Sequence, residues 1–407
     1  MGKMLFYHLQ MKLHLILLLL FLSTNLFSQK NTKVIEVLNA DNITYDQRYK
    51  EAQRLKGNVA FKHDGTFMYC DSALLYSKQN RFQAYGHIHV KRGDTLNLFG
   101  DSLHYFAKTK LCRMWGNIRL VEKDLQMTSD SVQFDGKENK VWYTGGAIIT
   151  SITNGNKLKS KKGIYYSSRK TIYFSENVEL TGKDYQLTAD TLEYQTLKEM
   201  AVFHGSTIIR SEENTVYCEN GWYDTKQEKS FFRKNVFIHS KDYILKSDTV
   251  HYDRLQGKGK AQGNVRVQDT LNDYIITGGK ADYNEKENYF LVNEKPLFAK
   301  IIEEKNKPND TLFAYADTME AKQDTLNKQS WLKMYHRVKF FKSDLQGKSD
   351  SLFYNEKDSL MELKGKPVIW SNGQQMTAEK IELKTANGKI FGAELIDNCF
   401  VISEADT

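Results

Sequence analysis

The stretch LTADTLEY, Leu187–Tyr194, returns as LKSDTVHY at Leu245–Tyr252 and in looser form as VYCENGWY at Val216–Tyr223. Anchored on its acidic residue, the phrase recurs at Asp41, Asp71, Asp101, Asp130, Lys161, Asp190, Glu219, Asp248, Gly279, Asp317, Asp350 and Glu379. Self-similarity at a fixed spacing is the signature of a repeat architecture, in which stacked units share one core. Three residues before the anchor stands an apolar column that includes Leu38, Met68, Leu98, Leu158, Leu187 and Leu245. Immediately before it the residue is always small, as in Ala40, Cys70, Gly100, Ser129, Ala189 and Ser247. Two after it come apolar residues such as Leu103, Val132, Leu192 and Val250, and four after it aromatic ones such as Tyr105, Phe134, Tyr194 and Tyr252.

These offsets alternate with period two on each side of the anchor, so each side is a strand with one face toward an apolar space. The parity slips by one residue at the anchor, which requires a bend or bulge there if both halves are to face inward. The small residue fits a tight inner corner. Asp followed by Ser, Thr or Asn suits the bend itself, since short polar side chains bond their own backbone two residues on.

A second phrase fills the gaps: GNVAF at Gly57, GHIHV at Gly86, GNIRL at Gly116, ENVEL at Glu176, KNVFI at Lys234 and GNVRV at Gly263. Here Gly-Asn supplies the bend, and alternate residues point inward: Val59 with Phe61, Ile118 with Leu120, Val178 with Leu180, Val236 with Ile238, Val265 with Val267. Each repeat is then two bent antiparallel strands joined by polar turns such as DGKENK, Asp135–Lys140. Stacking about twelve of them predicts an all-β, elongated, V-shaped solenoid, open along one side. The repeats are regular over 29–285. They degenerate over 286–345, where NEKPLFAKIIEEKNKPNDTLF (Asn293–Phe313) holds two of the three prolines and reads as a lengthened loop, and they resume over 346–407 with an edge strand.

Composition agrees with an ordered, exported chain. Of 407 residues 40% are hydrophobic, and only 3 prolines and 25 glycines interrupt them. Residues 1–28 combine basic residues, a leucine run over Leu13–Leu22 and a small or polar flank, which reads as a secretory signal peptide, with an uncleaved anchor as the alternative. Four cysteines, Cys70, Cys112, Cys218 and Cys399, are too few for a disulfide framework and read as packing residues. The net charge of +8 is interleaved along the chain, as a solvated surface requires, and no nucleic-acid partner is expected.

Chemistry is sparse. His87 and His89 share a strand face but have no evident third ligand, so no metal is expected. One carboxylate per repeat, about 10 Å from the next, cannot close a calcium sphere of six to eight oxygens. No nucleophile elbow, zinc-protease or phosphate-loop motif occurs, and neither catalysis nor a cofactor is expected.

The paired GNV and L-x-A-D-x-L-x-Y phrases resemble the OstA-like family, which includes periplasmic lipopolysaccharide-export proteins of the LptA type and the N-terminal domain of the LptD translocon. The resemblance covers roughly Asn39 to Leu383. It implies an open β-jellyroll, or β-taco, whose interior holds lipid acyl chains. It also implies end-to-end assembly between an inner-membrane-anchored partner and the outer-membrane translocon, with a homo-oligomer as a further possibility. On that reading the protein is periplasmic, with association with the outer or inner membrane as an open alternative, and transports lipopolysaccharide or a related lipid. Its lipid-binding wall is Val59, Phe61, Leu103, Tyr105, Ile118, Leu120, Val132, Phe134, Val178, Leu180, Leu187, Leu192, Tyr194, Val236, Ile238, Leu245, Val250, Tyr252, Val265 and Val267. The chain is longer than a typical LptA and lacks the LptD barrel. Two alternatives stay open on the residues alone: a structural or adhesive β-solenoid with a packed interior, and an outer-membrane β-barrel.

Overall fold

A computed structural model describes residues 34–45, 51–93, 96–122, 125–212, 214–241, 243–270, 274–302, 309–322, 330–355, 357–371, 373–386 and 389–403. The segment read as a signal peptide lies outside the described residues. Among them are thirty-two strands and one short 3-10 turn, Ser77–Gln79. No helix among them is long and apolar enough to cross a membrane.

Sixteen of the strands run 11 or 12 residues unbroken, as Tyr185–Gln195 and Met200–Ser211 do. The remaining sixteen are short arms that succeed one another in pairs, such as Lys140–Tyr143 and Ala147–Ser151, each pair being one pass of chain interrupted at its middle. Counted as passes, the strands number two for each of the twelve anchors. Neighbouring passes pair antiparallel.

The expected parity slip is present. In Tyr185–Gln195 the inward residues are Leu187 and Ala189 before Asp190, but Leu192 and Tyr194 after it. A facing pass absorbs the slip with one extra residue, as where Lys56 pairs with Ser72 and Val59 with Cys70, which leaves Gly57 and Asn58 bulged opposite Asp71. The same shift separates Tyr85 from Ile88, Trp115 from Ile118, Gln262 from Val265 and Tyr335 from Val338. Each pass therefore has two arms whose inner faces are both apolar, and the outer faces carry charge, as with Lys157 and Lys159 flanking buried Leu158. That polarity is the reverse of a transmembrane barrel, whose outward band is apolar.

The chain divides into two compact units. Among the described residues, one comprises those up to Ser211 with Trp222–Lys226, the other Glu212–Gly221 with those from Gln227 onward. In the first, Phe61 stacks on Phe82 with ring centroids 4.4 Å apart, joining the inner faces of the two arms. In the second, Ala316, Met334, Val338, Leu363 and Ile381 centre a continuous cluster. Burying each large apolar side chain stabilises the fold by about 1.5–3 kcal/mol.

Two sequence expectations need correction. Most of Asn293–Phe313 is not loop: Leu297–Ile302 and Asp310–Tyr315 are strands, paired with each other from Leu297↔Tyr315 to Ile302↔Asp310. The prolines misled because Pro296 immediately precedes a strand, where its missing N–H costs no ladder bond. Of the four cysteines, Cys70 and Cys218 are buried packing residues and Cys112 is half-buried, but Cys399 is exposed. It stands beyond the bend at Asp397 and Asn398, both with positive φ, on the last pass.

That pass, Lys389–Ile396 and Phe400–Ser403, pairs only with Lys380–Ala386 and Gln374–Thr377 among the described residues. The first pass, Glu36–Asn39 and Asn42–Tyr45, pairs among the described residues only with Gln53–His63. Leu38, Ile43, Tyr45, Phe391 and Phe400 are exposed on these two passes.

Candidate functional site

The corner is built from the anchor of one pass and the bulge of the next. The anchor N–H donates to the carbonyl of the first bulge residue, as from Asp41 to Gly57 at 3.0 Å and from Lys161 to Glu176 at 2.8 Å. Among the described residues the anchor acid does not bond its own turn, which corrects the role expected of it. It reaches across to the bulge: Asn58 Nδ2 donates to Asp41 Oδ2 at 2.9 Å, Asn117 to Asp101 at 2.6 Å, Asn235 to Glu219 Oε1 at 2.6 Å, and Asn264 to Asp248 at 3.0 Å. The bond two residues on belongs to the small residue before the anchor. Ser129, Ser247 and Ser349 donate to the carbonyls of Ser131, Thr249 and Ser351 at 2.9–3.0 Å.

This arrangement explains the Gly-Asn pair. Gly263 has φ +79°, and a Cβ there would lie 2.2 Å from Asp248 Oδ2; Gly57, Gly86 and Gly205 are equally occupied by the carboxylates of Asp41, Asp71 and Asp190. Where the anchor is not acidic, the acid moves to the other pass. Glu176 pairs with the anchor Lys161 at 3.3 Å, and the carboxylate of Glu294 fills the space beside Gly279. The corner thus conserves a carboxylate, not a position. His87, considered as a metal ligand, occupies the Asn position and meets Asp71 at 2.7 Å, while His89 stacks on Phe99. No group of three or more ligating side chains that could hold a metal is found among the described residues.

Away from the corner, the far turns are tied to one another, a feature sequence reading missed. Ala107 donates its N–H to Asn80 O, Gly136 to Lys110, Ser167 to Asn139 and Thr196 to Lys170, each at 2.9–3.0 Å. The accepting carbonyls belong to residues with φ near 50°, as at Lys110, Asn139 and Lys170. The signal was present as a polar residue closing each turn, but its type varies too much to stand out.

Seventeen of the twenty expected wall residues are buried: Val59, Phe61, Leu103, Ile118, Leu120, Val132, Val178, Leu180, Leu187, Leu192, Tyr194, Val236, Ile238, Val250, Tyr252, Val265 and Val267. Tyr105, Phe134 and Leu245 are half-buried. Most of the interior is therefore filled by its own side chains. The first unit keeps a cavity of about 220 Å³. It brings together five of the expected residues, Leu103, Tyr105, Leu120, Val132 and Phe134, with Met68, Leu98, Met114 and Val141, which the sequence list omitted. Met68 and Leu98 belong to the apolar column before the anchor, so the signal was available.

Polar groups also line this cavity: Asp64, Arg92 and Lys110 reach solvent, whereas His63 and Glu122 are buried. Two contacts cross from one arm to the other there. Tyr105 Oη and His63 Nδ1 share a hydrogen bond of 2.8 Å, and Lys110 Nζ stands 3.6 Å from Asp64 Oδ2. Desolvation raises the Tyr105 hydroxyl above its ordinary value and pushes the Cys112 thiol up to about 12, so both remain protonated at neutral pH. A thiol held protonated by burial packs in the wall as a small apolar group.

A family model described as OstA-like protein matches residues 31–190 and 185–248, and a second, described as LptA/(LptD N-terminal domain) LPS transport protein, matches residues 244–389. No curated protein matches the chain. Among solved structures, the chain is similar to LptH of Pseudomonas aeruginosa, the LptA homologous periplasmic component of the conserved lipopolysaccharide transport device. The identity is 13% over 30% of this chain and 82% of that one, with a TM-score of 0.25.

Proposed function

Since this chain belongs to the OstA-like family, whose model spans more than half of it, we propose that it is a non-catalytic periplasmic carrier that shelters the acyl chains of lipopolysaccharide or a related lipid. The observation that carries the reading is the 220 Å³ cavity between the two arms of the first unit, lined by apolar side chains such as Leu98, Leu103, Met114, Leu120 and Val132, with polar groups reaching solvent at Asp64, Arg92 and Lys110. Such a space binds by apolar area removed from water and leaves a headgroup solvated. Its volume is below the roughly 300–1,000 Å³ of ordinary small-molecule sites. An acyl chain therefore enters further only as the arms part, and the His63–Tyr105 and Asp64–Lys110 contacts are what parting must break.

In this role the two end passes are docking edges. Their unpaired backbone and exposed apolar side chains suit strand addition by partners of the same bridge, one anchored in the inner membrane and one at the outer-membrane translocon. A second reading, a structural solenoid with a packed interior, is favoured by Leu180, Leu187, Leu192 and Tyr194, which are wholly buried.

A photo-crosslinking residue at Leu98 separates the two. On a carrier it forms a lipid adduct in living cells, visible by mass spectrometry of the purified protein. Crosslinks to protein alone, in a chain with unchanged circular dichroism, would establish the packed solenoid instead.

A further inference from the structure

The second unit presents an apolar patch on its outer face, separate from the interior. Strand register sets two outward rows across Leu297–Ile302, Asp310–Tyr315, Trp331–Lys342, Leu345–Asn355, Val368–Ser371 and Gln374–Thr377, ending on Phe400–Ser403. One row carries Phe313, Phe341, Trp370 and Ile402. The other carries Leu297, Lys339, Lys348 and Phe400. The intervening inward residues, Phe298, Ala314, Phe340 and Ile369, belong to the core, so the two rows are committed to solvent. Phe341 is 50% exposed and Phe400 56%. Seven strands at about 4.8 Å give the patch a reach of roughly 29 Å.

Its charge is one-sided. Phe313, Phe341, Trp370, Lys339 and Lys348 surround a groove of about 330 Å³, and no carboxylate lines it among the described residues. Lys339 and Lys348 are direct cross-strand partners, both exposed. Like charges placed opposite one another destabilise a sheet. Elsewhere in this unit cross-strand lysines are offset by acids, as Lys380 is by Glu362 and Glu382. Here, among the described residues, the Lys348 ammonium stands over the face of Trp370, at 5.9 Å, and has no acid partner.

Rings of Trp and Phe beside unpaired lysines form the chemistry of a membrane–water interface, where rings settle at the headgroup level and ammonium groups meet phosphates. We propose that this face docks on the surface of an anionic lipid bilayer. The bilayer surface relieves the lysine pair and removes the rings from water together, without spanning. This contact is independent of lipid held in the interior.

The full-length protein, sedimented with vesicles of phosphatidylcholine or of phosphatidylcholine mixed with phosphatidylglycerol, tests this. Binding is expected on the mixed vesicles, weakening with salt. Each lysine near such a surface contributes roughly fivefold in affinity, so Lys339→Gln with Lys348→Gln is expected to weaken binding by about 25-fold. Phe341→Ser with Trp370→Ser is expected to abolish it, and both variants should keep their interior lipid. Absence of binding to anionic vesicles, or binding undiminished in both variants, overturns the proposal. Self-association lost in the same variants would assign the face to a second copy, and a protein partner lost with it would assign it to that partner; either result also overturns it.

Discussion

Gly263 and Asp248 show how single residues write the corner. The glycine is needed twice, for its φ of +79° and because the carboxylate stands where a Cβ would be. Gly263→Ala is expected to destabilise the protein by about 1–2 kcal/mol through the left-handed backbone alone, and further through the clash. In thermal unfolding, adding Asp248→Ala should remove the closest clashes, with Oδ2 at 2.2 Å and Cγ at 2.8 Å, and so recover part of the loss, leaving the backbone component. Full restoration, or none, would contradict the dual role. A second residue-scale prediction concerns Asp310, whose carboxylate accepts bonds from the Ser343 hydroxyl at 2.5 Å and the Ser343 amide at 3.2 Å. Chiefly the hydroxyl, with the Thr311 and Ser343 amides, lowers it to about 2. The ionised form therefore supports the fold above the ordinary value of 3.8, and that support is lost as pH falls through about 2. Carboxyl carbon shifts followed by NMR should place the Asp310 midpoint near 2; a midpoint at 3.8 would mean the Ser343 contacts do not persist in solution.

At the scale of the element, the turn and the edge decide behaviour. The Thr196 hydroxyl joins its own N–H on the Lys170 carbonyl, at 2.9 Å each. Thr196→Val keeps the shape and removes one of the two bonds, so a loss of about 0.5–1.5 kcal/mol is expected in denaturant unfolding. The last pass is less uniform than its sequence implied. Lys384 pairs with Gly392 and Thr385 with Ile390, which leaves Phe391 as a bulge with its side chain exposed. A bulge guards an edge in part. Phe391→Pro should therefore leave circular dichroism unchanged, since no ladder pair of Lys380–Ala386 is lost, while reducing capture of an end-to-end partner. Capture at the original level would move the docking site to Phe400–Ser403 or to the first pass. The alternation that defines these passes was legible in the sequence because period two is local. The bulge at Phe391 was not, because it depends on how two strands pair.

For the molecule as a whole, the interior is one chemistry in two physical states. Leu180 is wholly buried among neighbours, whereas Leu120 borders the cavity. Leu180→Asp leaves a charge with neither water nor partner, at a cost of several kcal/mol, and should unfold the first unit. Leu120→Asp can draw water from the cavity, so the chain should stay folded while bound lipid is lost. If both substitutions unfold the protein equally, the cavity is not accessible to solvent or lipid. The sequence placed both residues on the inner wall and could not tell them apart, because the inward column is the same whether the opposite arm fills the space or leaves it open.

What the sequence determined by itself was the repeat: twelve anchors, two arms to each pass, and the slip in parity that forces a bend between them. These follow from spacing along one strand, where side-chain direction alternates whatever the neighbour is. Tertiary structure alone decided which residue each anchor meets. Asp41 finds Asn58, and Lys161 finds Glu176, only once the passes stand side by side. It alone decided also that Phe61 closes on Phe82 while Leu98 and Leu120 leave a cavity. Packing depends on the summed volume of side chains from both arms, and no single strand carries that sum.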